Sequence, residues 1–555
     1  MRARGPRIAV IALVCFVLLF TRRWDQLVHP QVWNEDGTRN IVQLLRYGPV
    51  TVLWPVNGYL ITISRLITFI SLAISPLAYP AISTVLAWAF IVAVGVAIAI
   101  SPVSVRGGLL LTLAAFLVPS DPEVFGIPLY AFWWAGLLVV LAALWRRDAG
   151  SQAWRAAFIV LGGLSSPLIV LALPVFIYRA VAFRDDVRER VFCGLALACA
   201  AVQEALIAAH GSEPHRPLSG EFAYVLVTKF LGAYPFGAFA HHGESTGRIA
   251  LAAGAAVTIA VVAWAMLAPL RRDLTAWALL YLWLGSIALS ALRIDVLALD
   301  PVSVGPRYFF YPFVFEGWFL LHLLLSIRQR VPRGVAAGLL VLGLMTALSS
   351  LSRTHDDLHW ASALATCAAI PNNKLDRIPV EYDGLGADAW YIELTGRNCR
   401  GLLSRDLLAK VASASRPAIW PFSVRSVEPD SPAARDLVPR SAIVANGWNG
   451  TDFARSRLAG RVIVGSYRIG DADTGTLRLR LHRGARMLYR SGPIVAPETI
   501  TIEGAGARYR TEAPNADGWS LMEFVTAGLP DTFTVDFTDA GAGWGQWMAV
   551  AVADR

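Results

Sequence analysis

Residues 78–119 read AYPAISTVLAWAFIVAVGVAIAISPVSVRGGLLLTLAAFLVP. No side chain from Ala78 to Ile100 is charged, and about 20 apolar residues are what a helix needs to cross the hydrocarbon core of a bilayer. A second apolar run, 107–119, follows Arg106. Two such runs joined by a short arginine-bearing loop set the class of fold: helices packed in lipid.

The pattern recurs outward in both directions, at about 7–21, 128–145, 190–210, 249–270, 274–292, 308–327 and 334–350. That predicts about nine full spans. The composition agrees: 55% of the 555 residues are hydrophobic and the mean hydropathy is +0.52, above what soluble domains reach. Net charge is +9, and almost all the basic residues are arginine, with Lys229, Lys374 and Lys410 as the lysines. With the N-terminus in the cytoplasm, Arg106, Arg146, Arg147, Arg155, Arg271, Arg272, Arg328, Arg330 and Arg333 all fall in inside loops, as the positive-inside rule requires. The basic balance is thereby topological. No basic stretch is interleaved with aromatics as a nucleic-acid groove would be, so no nucleic-acid partner is expected. The first apolar run, Ile8–Phe20, resembles a signal peptide, but Arg22-Arg23-Trp24 follow without a small-residue cleavage site; it reads as an uncleaved first span.

The block 156–180 has basic residues on both flanks, Arg155 before it and Arg179, Arg184, Arg188 and Arg190 after, with Ser165-Ser166-Pro167 in its middle. Two short helices forming a re-entrant hairpin put both flanks on one side, and broken backbone at membrane depth requires a protein or water-lined cover. A single full span with inverted charge bias is the alternative.

The outside segments are then about 22–77, 120–127, 211–248 and 293–307, followed by a tail from about 351. The tail divides into a mixed α/β stretch, 351–439, and a region, 440–555, with period-2 runs such as TLRLRL at 476–481 and TFTVDF at 532–537. That alternation, punctuated by turn residues, predicts a β-sandwich. Residues 1–350 form the membrane domain. Cys367 and Cys399 lie in the tail, where an oxidising compartment would permit a disulfide. Trp448, Trp519, Trp544 and Trp547 suit either sandwich packing or stacking on sugar rings.

Candidate chemistry gathers in the outside loops. The first contains Trp33-Asn34-Glu35-Asp36-Gly37-Thr38-Arg39-Asn40, then Ile41, Leu44 and Leu45 at helical spacing, stopped by Gly48. That predicts a short amphipathic helix at the interface. Asp36 either caps it or, with Glu35 as substitute, takes a proton from an acceptor hydroxyl. Residues 59–75, with Arg65 in their middle, read as a second interfacial helix because an arginine at the bilayer centre is costly. The 120–127 loop adds Asp121 and Glu123. Arg307, in Gly305-Pro306-Arg307-Tyr308-Phe309, either snorkels or holds a phosphate with its fork of donors; Arg65 and Lys229 are further candidates, Arg293 another. His241-His242 with Glu244 has no convincing third ligand and reads as a solvated loop. Gln203 and Glu204 sit in an apolar run with no role named by the sequence.

This layout resembles the GT-C superfamily of polytopic membrane glycosyltransferases. Trp33 to Gly37, Pro119 to Glu123, the Ser165-Ser166-Pro167 break and Arg307-Tyr308-Phe309 carry the resemblance over residues 1–350. The resemblance implies a polyprenyl-phosphate sugar donor, a cell-envelope glycan or lipid acceptor, and transfer on the outer face of a bacterial inner membrane, with the N-terminus cytoplasmic and the tail periplasmic. It assigns the catalytic acidic role to Asp36 (or Glu35), the second acidic role to Glu123 (or Asp121), and the donor phosphate to Arg307, with Arg65 and Lys229 as the weaker candidates read from the residues. The resemblance also makes a divalent metal a possible cofactor; Glu35-Asp36 is not a clean Asp-x-Asp pattern, which leaves metal dependence open. A transporter or flippase, and a non-catalytic membrane anchor, are the competing classes. One broken segment without a matching second half counts against a transporter.

Overall fold

The computed structural model describes residues 4–210, 220–239, 244–267, 269–293, 299–355, 358, 360–380, 391–404, 422–450, 458–467, 474–492, 498–504, 507–516, 518–524, 529–541 and 546–555. The chain groups into two units. One comprises Met1–Val28, Tyr47–Thr68 and Ser83–His355; the other comprises His29–Arg46, Phe69–Ile82 and Asp356–Arg555.

The helices run in chain order α1 (Arg4–Val28), α2 (Val42–Tyr47), α3 (Thr62–Ile74), α4 (Tyr79–Ile100), α5 (Gly108–Phe116), α6 (Ala131–Ala143), α7 (Gln152–Gly163), α8 (Leu168–Ala182), α9 (Val187–His210), α10 (Gly220–Val227), α11 (Ala233–Phe236), α12 (Glu244–Leu267), α13 (Leu274–Arg293), α14 (Phe310–Ser326) and α15 (Arg330–Ser349). Among the described residues seven of them, α1, α4, α9, α12, α13, α14 and α15, are long and apolar enough to cross a bilayer. The protein is a multi-pass membrane protein. Two expected spans are shorter than a bilayer is thick. Gly107, at φ +83°, delays the start of α5, which has nine residues, and α6 has thirteen. Every residue of α6 is buried. Its continuous apolarity, which reads as lipid exposure in the sequence, belongs to a helix enclosed by protein.

The hairpin forms as its flanks require. Ser151 caps α7 by accepting from the Trp154 amide, and the chain breaks at 164–167 before α8. Arg155, in the first turn of α7, and Arg179, in the last turn of α8, both pair with Glu189 at the start of α9, at 2.8 and 2.6 Å. One carboxylate holding both outer ends means that α8 returns to where α7 began. The broken backbone is covered. The Leu164 carbonyl accepts from Thr62 Oγ1 (2.6 Å), Ser165 Oγ accepts from the Ile63 amide, and Gln203 Nε2 donates to the Gly163 carbonyl (2.9 Å). Gln203 thus gains a role that the sequence does not name: it satisfies backbone freed by the break.

In the second unit, α16 (Trp360–Ala369) and α17 (Gly396–Leu403) pack with the antiparallel pair β1 (Leu375–Pro379) and β2 (Tyr391–Thr395). Cys367 and Cys399 form a disulfide with Cα atoms 5.8 Å apart. The core of this module contains Trp360, Leu364, Ile378, Ile392 and Leu394, and also Val32, Ile41, Leu72 and Tyr79. Segments of the first outside loop are therefore built into the same core as 360–402, a packing with no periodic signature.

Ten strands follow: β3 (Ser423–Ser426), β4 (Ile443–Asn446), β5 (Arg461–Gly465), β6 (Gly475–His482), β7 (Arg486–Ser491), β8 (Thr499–Gly504), β9 (Ala507–Glu512), β10 (Ser520–Glu523), β11 (Thr532–Asp539) and β12 (Met548–Ala553). They form two five-stranded sheets, ordered β3-β10-β7-β12-β5 and β4-β6-β11-β8-β9. Leu477, Leu479 and Leu481 face inward across from Phe537, Val535 and Phe533, and both sheets contribute to one apolar core with Tyr489, Met522 and Val550. The first strand of the sandwich, β3, precedes residue 440, where the clear alternation begins. Trp448 is buried in this core, with its indole N–H on the Gly475 carbonyl; Trp544 lies outside the described residues.

Candidate functional site

The candidate residues occupy both units, and each group is built from its own surroundings. In the second unit, Asp36–Ile41 forms a single π-helical turn that continues into α2. Such turns recur at functional positions. Gly48, at φ +76°, stops the helix, as its position after Tyr47 predicts. The N-cap position belongs to Glu35, which makes no side-chain cap bond, and Asp36 already has helical geometry inside the turn. The Asp36 carboxylate is buried, 1% exposed, and Oδ1 accepts from the Asn40 side-chain amide at 3.0 Å. The i to i+4 spacing of Asp36 and Asn40 makes that bond possible. Thr38 Oγ1 closes on the Asn34 carbonyl at 2.9 Å. Gly37 sits where a Cβ would come within 2.9 Å of Val380 Cγ1 and Ile392 Cγ2. The absence of a side chain at 37 is what seats the acidic turn against β2 and the residues beside β1.

In the first unit the 299–309 segment collects the other candidates. Lys229, in a π-helical turn Thr228–Gly232, donates through Nζ to the Leu299 carbonyl. The adjacent Phe230 stacks on Phe309, ring centroids 4.5 Å apart. The Asp121 amide donates to the Pro301 carbonyl at 2.9 Å. Gly305, at φ +63°, turns the chain into the short helix Pro306–Phe309. The Glu123 carboxylate, 3% exposed, then receives Arg307 Nη1 at 2.5 Å, the Arg307 backbone N–H at 3.2 Å and the Tyr130 hydroxyl at 2.9 Å. The Arg307 guanidinium lies 5.2 and 5.7 Å from the Tyr308 and Tyr130 ring centroids. Charge-assisted bonds of this kind are about twice as strong as neutral ones. The pair fixes Arg307 while leaving its side chain 27% exposed. Arg65, in α3, is buried, 3% exposed.

The sequence reading missed a second set of charges that holds the 116–125 loop. Arg22 of α1 is fully buried and donates to the carbonyls of Phe116, Val118 and Ser120, with its guanidinium 4.5 Å from the Phe125 ring centroid. Arg353 Nη1 meets the Asp121 carboxylate at 3.1 Å. Asp25 takes both Arg23, at 3.1 and 3.2 Å, and His355 Nδ1, at 2.5 Å. A signal for these existed. On the topology expected from the sequence, Arg22 and Arg23 stand at the outer end of the first span, against the positive-inside rule, and a cation in the disfavoured place implies a partner.

Among the described residues no three His, Cys, Asp or Glu side chains come together as a metal site, and no step below is routed through a metal. His241 and His242 lie outside the described residues.

No family model matches the chain, and no curated protein matches it. Solved structures are similar to it, two of them as follows. One is arabinosyltransferase EmbB from Mycobacterium smegmatis, with 12% identity, 98% of this chain and 64% of that chain covered, and a TM-score of 0.29. The other is arabinofuranosyltransferase AftD from Mycobacteria, with 13% identity, 99% and 58% coverage, and a TM-score of 0.30. This chain spans about three fifths of the length of either.

Proposed function

We propose that this protein is a membrane glycosyltransferase that moves a sugar from a polyprenyl-phosphate donor to a cell-envelope glycan or lipid acceptor. On this reading it works on the outer face of the bacterial inner membrane, with its N-terminus cytoplasmic and its disulfide-bearing tail periplasmic. The observation that carries it is the Asp36 carboxylate, buried in a π-helical turn and oriented by Asn40. An anchor has no use for a desolvated acid held in one orientation, whereas a general base needs just that.

In the transfer, an acceptor hydroxyl oxygen attacks the anomeric carbon while Asp36 takes the hydroxyl proton. The bond from that carbon to the phosphate oxygen breaks, and its electrons leave on the polyprenyl phosphate. Arg307 is the cation for that phosphate, because a guanidinium fork matches phosphate oxygens, and Lys229 is the second. Glu123 positions Arg307, and Asp121 with Arg353 holds the same loop. Glu35, the neighbouring acid and the substitute for this role, is less buried than Asp36. The disulfide supports an oxidising compartment for the tail. Positioning and fixed charge supply the barrier reduction, as the leaving group is already a phosphate.

The test compares surface glycans and donor lipids by mass spectrometry in three strains: a deletion, the intact gene, and Asp36→Asn at matched protein level. The proposal expects the deletion and Asp36→Asn to lose the same sugar and to accumulate the donor lipid. A deletion phenotype that Asp36→Asn does not share would remove Asp36 as base and move transport of a lipid-linked substrate ahead.

A further inference from the structure

The second unit carries a cleft lined mainly by polar side chains. It has a volume of about 510 Å³ and is lined by Asn372, Arg400, Arg425, Ser426 and Ser431 with Ile370, Pro371 and Val427. That volume falls within the ~300–1,000 Å³ of small-molecule sites. Among the described residues no acidic side chain lines it.

One wall is rigid. Arg400 Nη1 donates to the Ala368 and Ile370 carbonyls, and Nη2 donates to Asn372 Oδ1. Its neighbour Cys399 is disulfide-bonded to Cys367, next to Ala368. The Arg400 guanidinium of α17 is thus locked to the end of α16 and the residues that follow it. The other wall is β3, an edge strand of the sandwich. Arg425 pairs with Leu521 in the register, which puts its side chain on the outer face of that sheet, away from the main core. Arg425 is exposed, and among the described residues no carboxylate or carbonyl receives its guanidinium. Lys374 Nζ donates to Ser426 Oγ at 3.0 Å at the rim. The Ser431 hydroxyl is shielded from solvent and has no hydrogen-bond partner, so a buried polar atom awaits one.

Cations without counter-charges beside neutral hydroxyl and amide groups suit a ligand that carries an oxyanion on a polar, hydroxylated body. We propose that this cleft binds a sugar unit bearing a carboxylate or a phosphate ester, with Arg425 and Arg400 on the oxyanion and Asn372, Ser426 and Ser431 on its hydroxyls. The site is independent of the transfer chemistry proposed above. It gives the protein a hold on an anionic glycan.

The experiment uses the full chain in phosphatidylcholine nanodiscs and isothermal titration calorimetry with glucuronate, glucose 6-phosphate and glucose. At least one of the two anionic sugars binds and glucose does not; whichever binds tighter identifies the oxyanion. Arg425→Ala weakens that binding about tenfold or more, the effect of losing one charge-assisted contact, and Ser431→Ala weakens it less. Raising the salt weakens the wild type more than Arg425→Ala. Asp36→Asn protein binds as the wild type does, which separates this site from the transfer reaction. Equal binding of glucose, no binding of either anionic sugar, or an Arg425→Ala protein indistinguishable from wild type would overturn the proposal.

Discussion

Glu498 gives the sharpest test of the electrostatics in the sandwich. It is 0% exposed, and neither carboxylate oxygen has a hydrogen-bond partner. Thr499 pairs with Thr538, so Glu498 and Asp539 stand at the next rung of the β8–β11 ladder. Burial, and then the charge of Asp539, push its carboxyl up to about 9, whereas an unfolded glutamate titrates near about 4.3. The folded state therefore holds a proton that the unfolded state releases. The stability this group contributes is full below about pH 4.3 and is lost progressively as pH rises toward 9, at about 1.36 kcal/mol per pH unit. Between about pH 5 and 7.5 the loss is about 3 kcal/mol, or roughly two to three powers of ten in the closed-to-open ratio. Glu498→Gln keeps the shape and removes the titration. Hydrogen exchange of peptides covering β8 and β11, read in the intact protein at matched pH, reports the difference directly. The variant should match the wild type near pH 5 within about 1 kcal/mol and exceed it by about 3–4 kcal/mol near pH 7.5. A difference that does not change between the two pH values refutes the neutral carboxyl. A variant less protected at both would mean that Glu498 is ionised and engaged.

The other predictions are more local. Replacing Cys367 and Cys399 by Ser opens a loop of 32 residues and should cost the 360–402 module about 3–4 kcal/mol by the chain-entropy relation, read as its loss of exchange protection while the sandwich is unchanged. Glu189→Gln leaves Arg155, fully buried, and Arg179 without their shared counter-charge; a loss of about 3–5 kcal/mol is expected, seen as a lower melting temperature in detergent. Glu123→Gln keeps a hydrogen-bond acceptor for Tyr130 but not the charge that fixes Arg307. With purified enzyme it should raise the KM for the lipid donor about tenfold or more, with a smaller change in kcat; a change in kcat alone would count against Arg307 as the phosphate residue.

The helical class, the hairpin and the sandwich were legible because each rests on local chemistry. Arginines flanking 156–180 have to face one aqueous side, and the structure answers with one glutamate taking Arg155 and Arg179. The period of two in 476–481 is the pleat itself. Helix lengths were less legible. A run such as 128–145 is equally apolar whether lipid or protein surrounds it, and only the packing shows that every side chain of α6 is buried. The core shared by Val32, Ile41 and Leu72 with Trp360 and Ile378 joins positions 288 to 346 residues apart. No periodicity records such a pairing, because hydrophobic contact is non-directional and carries no sequence register.

The candidate residues divide along the same line. Asp36, Glu123 and Arg307 could be singled out because each is a charge in a loop that composition alone would leave neutral. What they do depends on partners that sequence distance hides: Asn40 at four residues is foreseeable, whereas Glu123 and Arg307 meet across 184 positions. Arg22 shows why the rest was missed. Read by the positive-inside rule on the expected topology, it is an anomaly at the outer end of a span; read structurally, it is a buried cation whose guanidinium satisfies three carbonyls between the end of α5 and Ser120. A charge that topology disfavours persists only where something compensates its desolvation. Each such exception in a membrane chain is accordingly a place to look for a partner. By that criterion Arg22, Arg23, Arg353 and His355 belong with the candidate machinery as the residues that hold its loops.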